Sequence, residues 1–371
     1  MITHVNPTVF GQELSPLSAA SVGMPGRRWG KTGHGSTAKE CRVEQVGRET
    51  YPNGPGGLDV RPVAGHIGAE IHGLDLGGPL EDETVEGIRA ALLRWKVVFF
   101  RDQKLDHAGH IAFARRFGEP VTLRSRGSAS PADFPQVETT ADRLELAGRH
   151  GMSHTEWLER RRHSTLRGWH ADHTARIDPP ALTILRAERV PPYGGDTTWA
   201  NLATAYAGLS EPVRRFADGL RAEHRLGVGY LPRSGPDAYV RHLQEHQVAS
   251  VHPVVRVHPE SGERVLYVNP YYVENIVGVS RAENRLLLEM FVEQVTRPEY
   301  TVRFRWEPGS VALWDNRATI HLAPSDAAHL DFPRIMHRVM TAGDIPVGVA
   351  GTPSEPIAGA LLHRPSDSRN Q

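Results

Sequence analysis

The chain has 371 residues, of which 39 % are hydrophobic, so it can bury a sizeable core. Lysine plus arginine and aspartate plus glutamate each total 43, which makes the formal net charge zero. That balance argues against a protein that binds nucleic acid or a membrane surface. The 36 glycines and 28 prolines predict many turns, as all-β architectures need.

The only cysteine, Cys41, can form neither an internal disulfide nor a thiolate metal cluster. A single thiol fits a reducing compartment. The residues after Met1 resemble neither a signal peptide nor a transmembrane stretch. We therefore predict a cytoplasmic protein.

Composition divides the chain into three parts. Residues 1–56 are rich in glycine, serine, threonine, proline and charge without sustained periodicity, which predicts a flexible leader. From Leu58 onwards apolar residues group into short runs, and residues 57–347 are predicted to form one domain. Residues 348–371 are predicted to form a polar tail.

The first half of the domain carries helical signals. Apolar residues recur on one helical face over residues 83–95. The wholly apolar residues 97–100 predict a buried strand, and residues 107–117 predict a second helix. Residues 120–168 are irregular and polar, which is typical of a long loop or lid.

Strand signals dominate the second half. The clearest predicted strands are residues 181–190, 251–257, 264–268, 300–306 and 311–314. Ser210 and Ser280 are each predicted to cap a further helix. The chain is therefore predicted to be mainly β with flanking helices.

A histidine and an aspartate lie two residues apart at the start of this half. If the segment is extended, His170 and Asp172 project from the same face, because strand side chains alternate. The pair alone is weak evidence in a chain with 20 histidines. A third candidate, His321, follows a predicted strand and a polar turn. Two histidines and one carboxylate that leave open positions suit a non-haem Fe(II) oxygenase.

Several motifs occur in a characteristic order along the chain. They are residues 67–71 (IGAEI), 73–76 (GLDL), 97–103 (VVFFRDQ), 116–119 (RFGE), 194–197 (GGDT), 252–256 (HPVVR), 314–317 (WDNR) and 334–338 (RIMHR). With these motifs the stretch from Leu58 to about Pro346 resembles the taurine dioxygenase family, which also includes aryloxyalkanoate herbicide dioxygenases and alkylsulfatases.

The resemblance implies a double-stranded β-helix, the cupin-like jelly roll in which two facing sheets form a funnel. It implies Fe(II), 2-oxoglutarate as cosubstrate and O2. His170, Asp172 and His321 match the iron ligands of the family. In this family the carboxylate at the position of Asp172 favours hydroxylation over halogenation.

Other positions match residues that hold the organic ligands. Arg334 matches the arginine that clamps the distal carboxylate of 2-oxoglutarate, and Thr197 matches the hydroxyl that binds the same group. Trp314 is expected either in the cofactor wall or in the core. Arg338 matches an arginine that faces the substrate anion in sulfonate users. His173 is a second candidate for the substrate site, expected beside the metal ligands or at the cavity edge, with an exposed position as the alternative.

The implied function is hydroxylation of a small, anionic organic molecule, with release of succinate and CO2. Hydroxylation next to a heteroatom would collapse to bond cleavage. Residues 120–124 lack the histidine that taurine users place there, so taurine is not expected. Another anion site could involve Arg124, Arg126 and the run at residues 160–162.

Two alternatives stay open at this point. The same cofactors could serve a desaturation or cyclisation in a biosynthetic pathway. A non-catalytic metal-binding jelly roll would need the metal ligands but neither Arg334 nor Thr197. The expected partner is a small molecule rather than a nucleic acid or a membrane, and a homo-oligomer is compatible with the sequence.

Overall fold

The computed structural model describes residues 57–123, 128–140, 168–226, 247–323, 326–327, 330 and 332–362. The predicted leader, residues 1–56, lies outside these ranges and so does Cys41.

Helices in the described ranges flank the sheets. They are α1 (Asp82–Trp95), α2 (His107–Arg115), α3 (Leu202–Ala207), α4 (Glu211–Asp218) and α5 (Arg281–Val295), with a short 3-10 helix at Pro298–Tyr300. The predicted helices over residues 83–95 and 107–117 are confirmed as α1 and α2. Ser280 caps α5 through a capping box with Glu283. Ser210 stands at the N-cap of α4, but its side chain makes no capping hydrogen bond.

The described ranges also contain eighteen β-strands. They are β1 (Asp59–Pro62), β2 (Ala69–His72), β3 (Val97–Phe100), β4 (Pro120–Val121), β5 (Ser128–Ala129), β6 (Glu138–Thr140), β7 (Leu182–Arg189), β8 (Thr197–Asn201), β9 (Arg221–Arg225), β10 (Ala249–Pro253), β11 (Val255–Val257), β12 (Arg264–Leu266), β13 (Val273–Ile276), β14 (Thr301–Phe304), β15 (Val311–Asp315), β16 (Thr319–Leu322), β17 (Ile335–Thr341) and β18 (Glu355–Ala358).

The major sheet has the strand order β1-β2-β3-β15-β7-β17-β6-β5, and β4 also pairs with β17. Its central strand β15 pairs antiparallel with β3 on one side and with β7 on the other. Every residue of β3 and of β15 is buried. Because these strands are covered on both faces, β3 and most of β15 read as continuous apolar runs rather than as alternating patterns.

The minor sheet has the order β14-β8-β16 and faces the major sheet. Side chains from both sheets form one apolar cluster rich in aromatic rings. Phe99 of β3 stacks on Phe304 of β14 with ring centroids 4.1 Å apart. Trp199 of β8 packs edge-on against Trp314 of β15 at 5.5 Å. This pair of facing sheets is the double-stranded β-helix that the sequence predicts.

The other elements pack outside this pair of sheets. Apolar residues of α1 and α2 join the cluster on the outer face of the major sheet. A third cluster unites α3 and α5 with a four-stranded sheet of order β13-β9-β10-β18 and the hairpin β11-β12. The helices therefore bury the outer faces of the sheets and leave the funnel between the sheets for the site.

Three sequence-based boundaries need correction. The expectation of one long loop over residues 120–168 is wrong in its described part, because β4, β5 and β6 pair with the major sheet or with each other there. Residues 251–257 form two strands rather than one, with Val254 between β10 and β11. The segment predicted as a polar tail contributes β18, which pairs with β10. These strands are short or exposed, so their residues show no apolar pattern.

None of the helices described here is both long enough and apolar enough to cross a membrane.

We expect Phe99→Ala to lower the free energy of unfolding by about 3–5 kcal/mol, because it removes a fully buried ring from between the sheets. The measurement is urea denaturation followed by circular dichroism. Phe216→Ala, at a side chain that is 50 % exposed on α4, is the matched control and should change stability by less than about 0.5 kcal/mol. Equal effects of the two variants would contradict the sheet packing described here.

Candidate metal centre

His170, in the segment that follows residue 167, lies beside His321 on β16, an edge strand of the minor sheet. The backbone N–H of His170 donates to the carbonyl of His321 at 3.0 Å, and that of His321 donates back at 2.7 Å. This isolated antiparallel bridge sets the two rings 4.2 Å apart between centroids. His321 itself lies on β16, whose pairing with β8 fixes its backbone.

The ring of His170 has a defined tautomer. Its Nδ1 lies 2.8 Å from the carbonyl of Gly168, and a carbonyl only accepts hydrogen bonds. Nδ1 therefore carries the proton and Nε2 keeps its lone pair, which faces the carboxylate of Asp172 at 3.9 Å from Oδ1. This is the arrangement that a histidine metal ligand requires.

Asp172 follows His170 in a turn, not on a strand. The extended backbone assumed from strand alternation holds only at His170, because a turn begins at Asp172. The backbone N–H of Arg176 closes part of this turn on the carbonyl of His173 at 3.0 Å. The turn nevertheless places the carboxylate of Asp172 next to His170 and His321.

One potential ligand atom from each of His170, Asp172 and His321 lies within 4.8 Å of the others. Nδ1 of His321 is buried without a hydrogen-bond partner among the described residues, so this ring retains a polar atom that protein contacts do not satisfy. Two imidazoles and one carboxylate suit a divalent transition metal with positions left for other ligands. The residues present therefore fit such an ion.

Protonation states in the absence of a metal also suit ligation, which needs deprotonated donors. Burial, with a smaller contribution from the nearby His170, lowers the pKa of His321 to about 3 and keeps the ring neutral. Burial by itself would raise the pKa of Asp172, but the Arg338 guanidinium and the neighbouring histidines outweigh it and hold that pKa well below its usual range. Asp172 is thus ionised at neutral pH.

Arg338 on β17 reaches the same carboxylate. Its Nη1 donates to Oδ1 of Asp172 at 2.7 Å, while Nε and Nη2 donate to Oε2 of Glu138 at 3.1 and 2.6 Å. Burial alone would lower the pKa of Arg338, but the two carboxylates outweigh burial and raise it. The arginine predicted to face a substrate anion therefore lies at the metal site and already holds two carboxylates.

The predicted cosubstrate residues lie on neighbouring segments. Thr197 starts β8 and is buried, and its Oγ1 accepts a hydrogen bond from Nε1 of Trp306 at 2.9 Å. Arg334 immediately precedes β17. A Cβ added to Gly195 would lie 3.6 Å from both Cδ and Nε of Arg334, an ordinary contact distance, so the arginine side chain packs beside the chain two residues before Thr197. The φ of +70° at this position favours glycine.

Trp314 is both a core residue and a wall of the site. It is almost completely buried and its ring lies 5.0 Å from that of His321. The two positions expected for Trp314, in the core and in the wall of the cofactor site, are therefore compatible with each other.

His173 is half-buried and has a φ of 54°. That left-handed conformation is uncommon for a residue other than glycine and is concentrated at functional sites. Burial, followed by the charge of Arg338, lowers the pKa of His173 to about 4. The structure places His173 next to Asp172 and near Arg338, and its expected role at the edge of a substrate cavity stays a prediction.

Three residues at the site were not singled out by the sequence. Glu138 lies on β6, in a segment whose sequence predicts only a loop. Thr183 is a buried hydroxyl near the start of β7, between Leu182 and Ile184, and such a polar residue within an apolar run is a usable signal. Asn316 lies within the 314–317 motif but had no assigned role. The alternative anion site, Arg124, Arg126 and residues 160–162, lies outside the described residues.

We expect His321→Ala to weaken binding of Mn(II), a stand-in for Fe(II), by roughly a hundredfold or more, which exceeds the usual effect of losing an outer hydrogen-bond partner. Titration of the apo-protein, followed by the electron paramagnetic resonance signal of free Mn(II), measures this. His337→Ala is the matched control, because His337 is buried on β17 but bonds to Thr139 and Glu188. Equal affinities of the two variants would contradict the site.

Comparison with known proteins agrees with this geometry. Residues 59–340 match the model of the family described as taurine catabolism dioxygenase TauD, TfdA family. The chain is similar to an alpha-ketoglutarate-dependent sulfate ester dioxygenase of Pseudomonas putida, with 44 % identity over 79 % of this chain and 92 % of the relative. It is also similar to an alkylsulfatase of Acinetobacter baylyi, with 36 % identity over 79 % of this chain and 88 % of the relative.

The chain is also similar to a solved structure of the same family. A taurine dioxygenase from Burkholderia xenovorans is 46 % identical, with a TM-score of 0.68, over 82 % of this chain and 96 % of that one. The family model covers more than half of the chain, and both relatives exceed 30 % identity over most of it. The chain therefore belongs to the TauD/TfdA family of taurine catabolism dioxygenases.

Proposed function

We propose that this Fe(II)- and 2-oxoglutarate-dependent dioxygenase oxidises a sulfate ester. The convergence of His170, Asp172 and His321 in a chain of this family is the observation that carries the proposal. The sulfate ester is suggested by the two curated relatives, whose names describe a sulfate ester dioxygenase and an alkylsulfatase. A non-catalytic jelly roll is disfavoured by the same relatives.

His170, Asp172 and His321 would hold the Fe(II) ion through two imidazole nitrogens and one carboxylate oxygen. With 2-oxoglutarate and O2, the bound ion supplies the oxidising power that replaces a substrate C–H bond by C–OH. The task of the chain is to orient the ligands and to exclude water. The rings of Trp314 and Trp199, packed on the His321 side of the site, close it on the core face.

Arg334 and Thr197 would bind the distal carboxylate of 2-oxoglutarate. A guanidinium can form two parallel hydrogen bonds with such a group. Trp306 already donates to Thr197 Oγ1, so the hydroxyl proton of Thr197 points away from the indole and can form a hydrogen bond to the carboxylate. This is why a threonine held by an indole suits the position.

The proposed overall reaction converts an alkyl sulfate, 2-oxoglutarate and O2 into an aldehyde, hydrogen sulfate, succinate and CO2. One oxygen atom enters succinate and the other enters the substrate carbon next to the ester oxygen. The resulting hemiacetal sulfate loses its hydroxyl proton, its C–O bond to sulfate breaks, and a carbonyl forms. Sulfate departs with the bonding electron pair and takes up the proton.

Arg338 is the cation proposed to meet the sulfate group. In the structure Arg338 balances Asp172 and Glu138, so a substrate anion would approach a guanidinium whose charge is already shared. Glu138 therefore sets how strongly the site attracts an anion. Desaturation or cyclisation of a neutral molecule would not need this cation, and neither relative named above is described by such a reaction.

Incubation of the enzyme with hexyl sulfate, Fe(II), ascorbate and 2-oxoglutarate in air tests the proposal. Sulfate and succinate should appear in a 1:1 ratio, above the succinate released without substrate. Hexyl sulfonate and taurine are the comparison substrates, and His321→Ala is the inactive control. Turnover of taurine or the sulfonate, with no sulfate released from alkyl sulfates of several chain lengths, would contradict the proposed substrate class.

We expect Glu138→Gln to lower the KM for the anionic substrate severalfold, because it removes a negative charge beside Arg338 but keeps an acceptor oxygen. The KM for 2-oxoglutarate should change less. Arg338→Ala is a poorer test, because it leaves two buried carboxylates unbalanced.

Glu188→Gln is the matched control for Glu138→Gln. Glu188 accepts a hydrogen bond from His337, the residue before Arg338 on β17, and is 48 % exposed. This variant should leave both KM values unchanged. An unchanged or raised substrate KM in Glu138→Gln would remove Glu138 from the anion site.

A further inference from the structure

The two oxygens of the Asp172 carboxylate have different partners. Oδ1 accepts from Nη1 of Arg338 at 2.7 Å and is the oxygen that lies 3.9 Å from Nε2 of His170. Oδ2 accepts from the hydroxyl of Thr183 at 2.8 Å. One oxygen thus faces the other candidate ligands, and a separate hydroxyl holds the second oxygen.

The direction of the Thr183 hydrogen bond follows from its neighbours. Nδ2 of Asn316 donates to Oγ1 of Thr183 at 2.7 Å, so the single hydroxyl proton of Thr183 is left for Asp172. The orientation of the Asn316 amide is fixed as well. Its Oδ1 accepts from Nε1 of Trp314 at 3.0 Å and from the backbone N–H of Asp172 at 3.2 Å, and both of these groups are donors only.

This network stands on rigid backbone. Thr183 is completely buried in β7, where it pairs with Trp314 of β15 on one side and Met340 of β17 on the other. Asn316 directly follows β15. A hydroxyl in the centre of a sheet cannot follow a carboxylate that rotates, so it defines one orientation of that carboxylate.

We propose that Thr183, oriented by Asn316, is a positioning residue that keeps Oδ2 of Asp172 away from the metal, so that Asp172 supplies one ligand oxygen. The proposal rests on the proposed role of Asp172 as a metal ligand. A carboxylate can bind a metal through one oxygen or through both. Two histidines and one oxygen leave open positions for the cosubstrate and O2, and a second carboxylate oxygen would take one of them.

Thr183→Val tests this, because valine keeps the shape of threonine but has no hydroxyl. We expect the Kd for Mn(II) to rise roughly tenfold, as is usual when an outer partner of a metal ligand is lost. At saturating Fe(II) without oxygen, the affinity for 2-oxoglutarate, read from the visible charge-transfer absorption, should fall as well. Thr183→Ser restores the hydroxyl and should behave like the wild type in both measurements.

Thr319→Val is the matched control. Thr319 is also a completely buried threonine next to the 314–317 motif, but its hydroxyl donates to the carbonyl of Asp315 at 2.8 Å. The proposal is overturned if Thr183→Val equals Thr319→Val in either measurement, or if Thr183→Ser is as impaired as Thr183→Val. Should Thr183→Val fail to fold, Thr183→Ala is judged by the same two affinities.

His321→Ala separates this proposal from the proposed function. If His321→Ala retains wild-type Mn(II) affinity, the metal site itself is wrong. If His321→Ala loses Mn(II) while Thr183→Val binds Mn(II) and 2-oxoglutarate as tightly as Thr319→Val does, the metal site is supported and only the proposed role of Thr183 is wrong.

Discussion

The buried, ionised carboxylate of Asp172 is the constraint on which the rest of the site depends. Removing a carboxylate from water is costly unless charges and hydrogen bonds replace the lost hydration. Here the replacement comes from Thr183 on β7 and Arg338 on β17, which donate to the two carboxylate oxygens. Asn316, directly after β15, donates to Thr183 and accepts from the backbone N–H of Asp172. The strand order β15-β7-β17 places these three residues on neighbouring strands, so the sheet that builds the core also supports the carboxylate.

The histidines depend on a different contact, the backbone bridge between His170 and His321. One of them lies on a regular strand of the minor sheet, and the other lies at the entrance to a turn. Because the bridge is made by backbone groups, it does not depend on which ligand the two side chains bind. The candidate metal ligands thus come from the minor sheet and from the segment that bridges to it, and the major sheet supplies the side chains that hold Asp172.

The three candidate metal ligands could be selected from the sequence more readily than the backbone around them could be predicted. His170, Asp172 and His321 could be selected because residue types with metal chemistry occurred together with family motifs, and the structure brings all three together. The strand alternation assumed for His170 and Asp172 was not the reason, since Asp172 lies in a turn. The apolar strand β3 and the amphipathic helix α1 were predicted correctly, because burial on two faces or on one face leaves a strong pattern.

Features that depend on pairing between distant segments could not be predicted. Strand β6 is three residues long and wholly polar, and its pairing with β17 and β5 is what makes it a strand. Glu138 consequently had no signal in the sequence, although it bonds directly to Arg338. Thr183 and Asn316 were visible as residues, but the direction of their hydrogen bonds follows only from knowing every donor around them.

The charges at the site show why metal and cosubstrate belong together. Asp172 and Glu138 each contribute one negative charge and Arg338 one positive charge, so these three side chains together carry one net negative charge. A divalent ion would reverse that sign, and the dianion of 2-oxoglutarate together with the Arg334 cation would then bring the sum to zero. Under the proposed function, a substrate anion would enter a site in which these charges leave no positive excess. Its recognition would then come from directed hydrogen bonds of Arg338 rather than from net attraction, because Glu138 cancels much of that attraction.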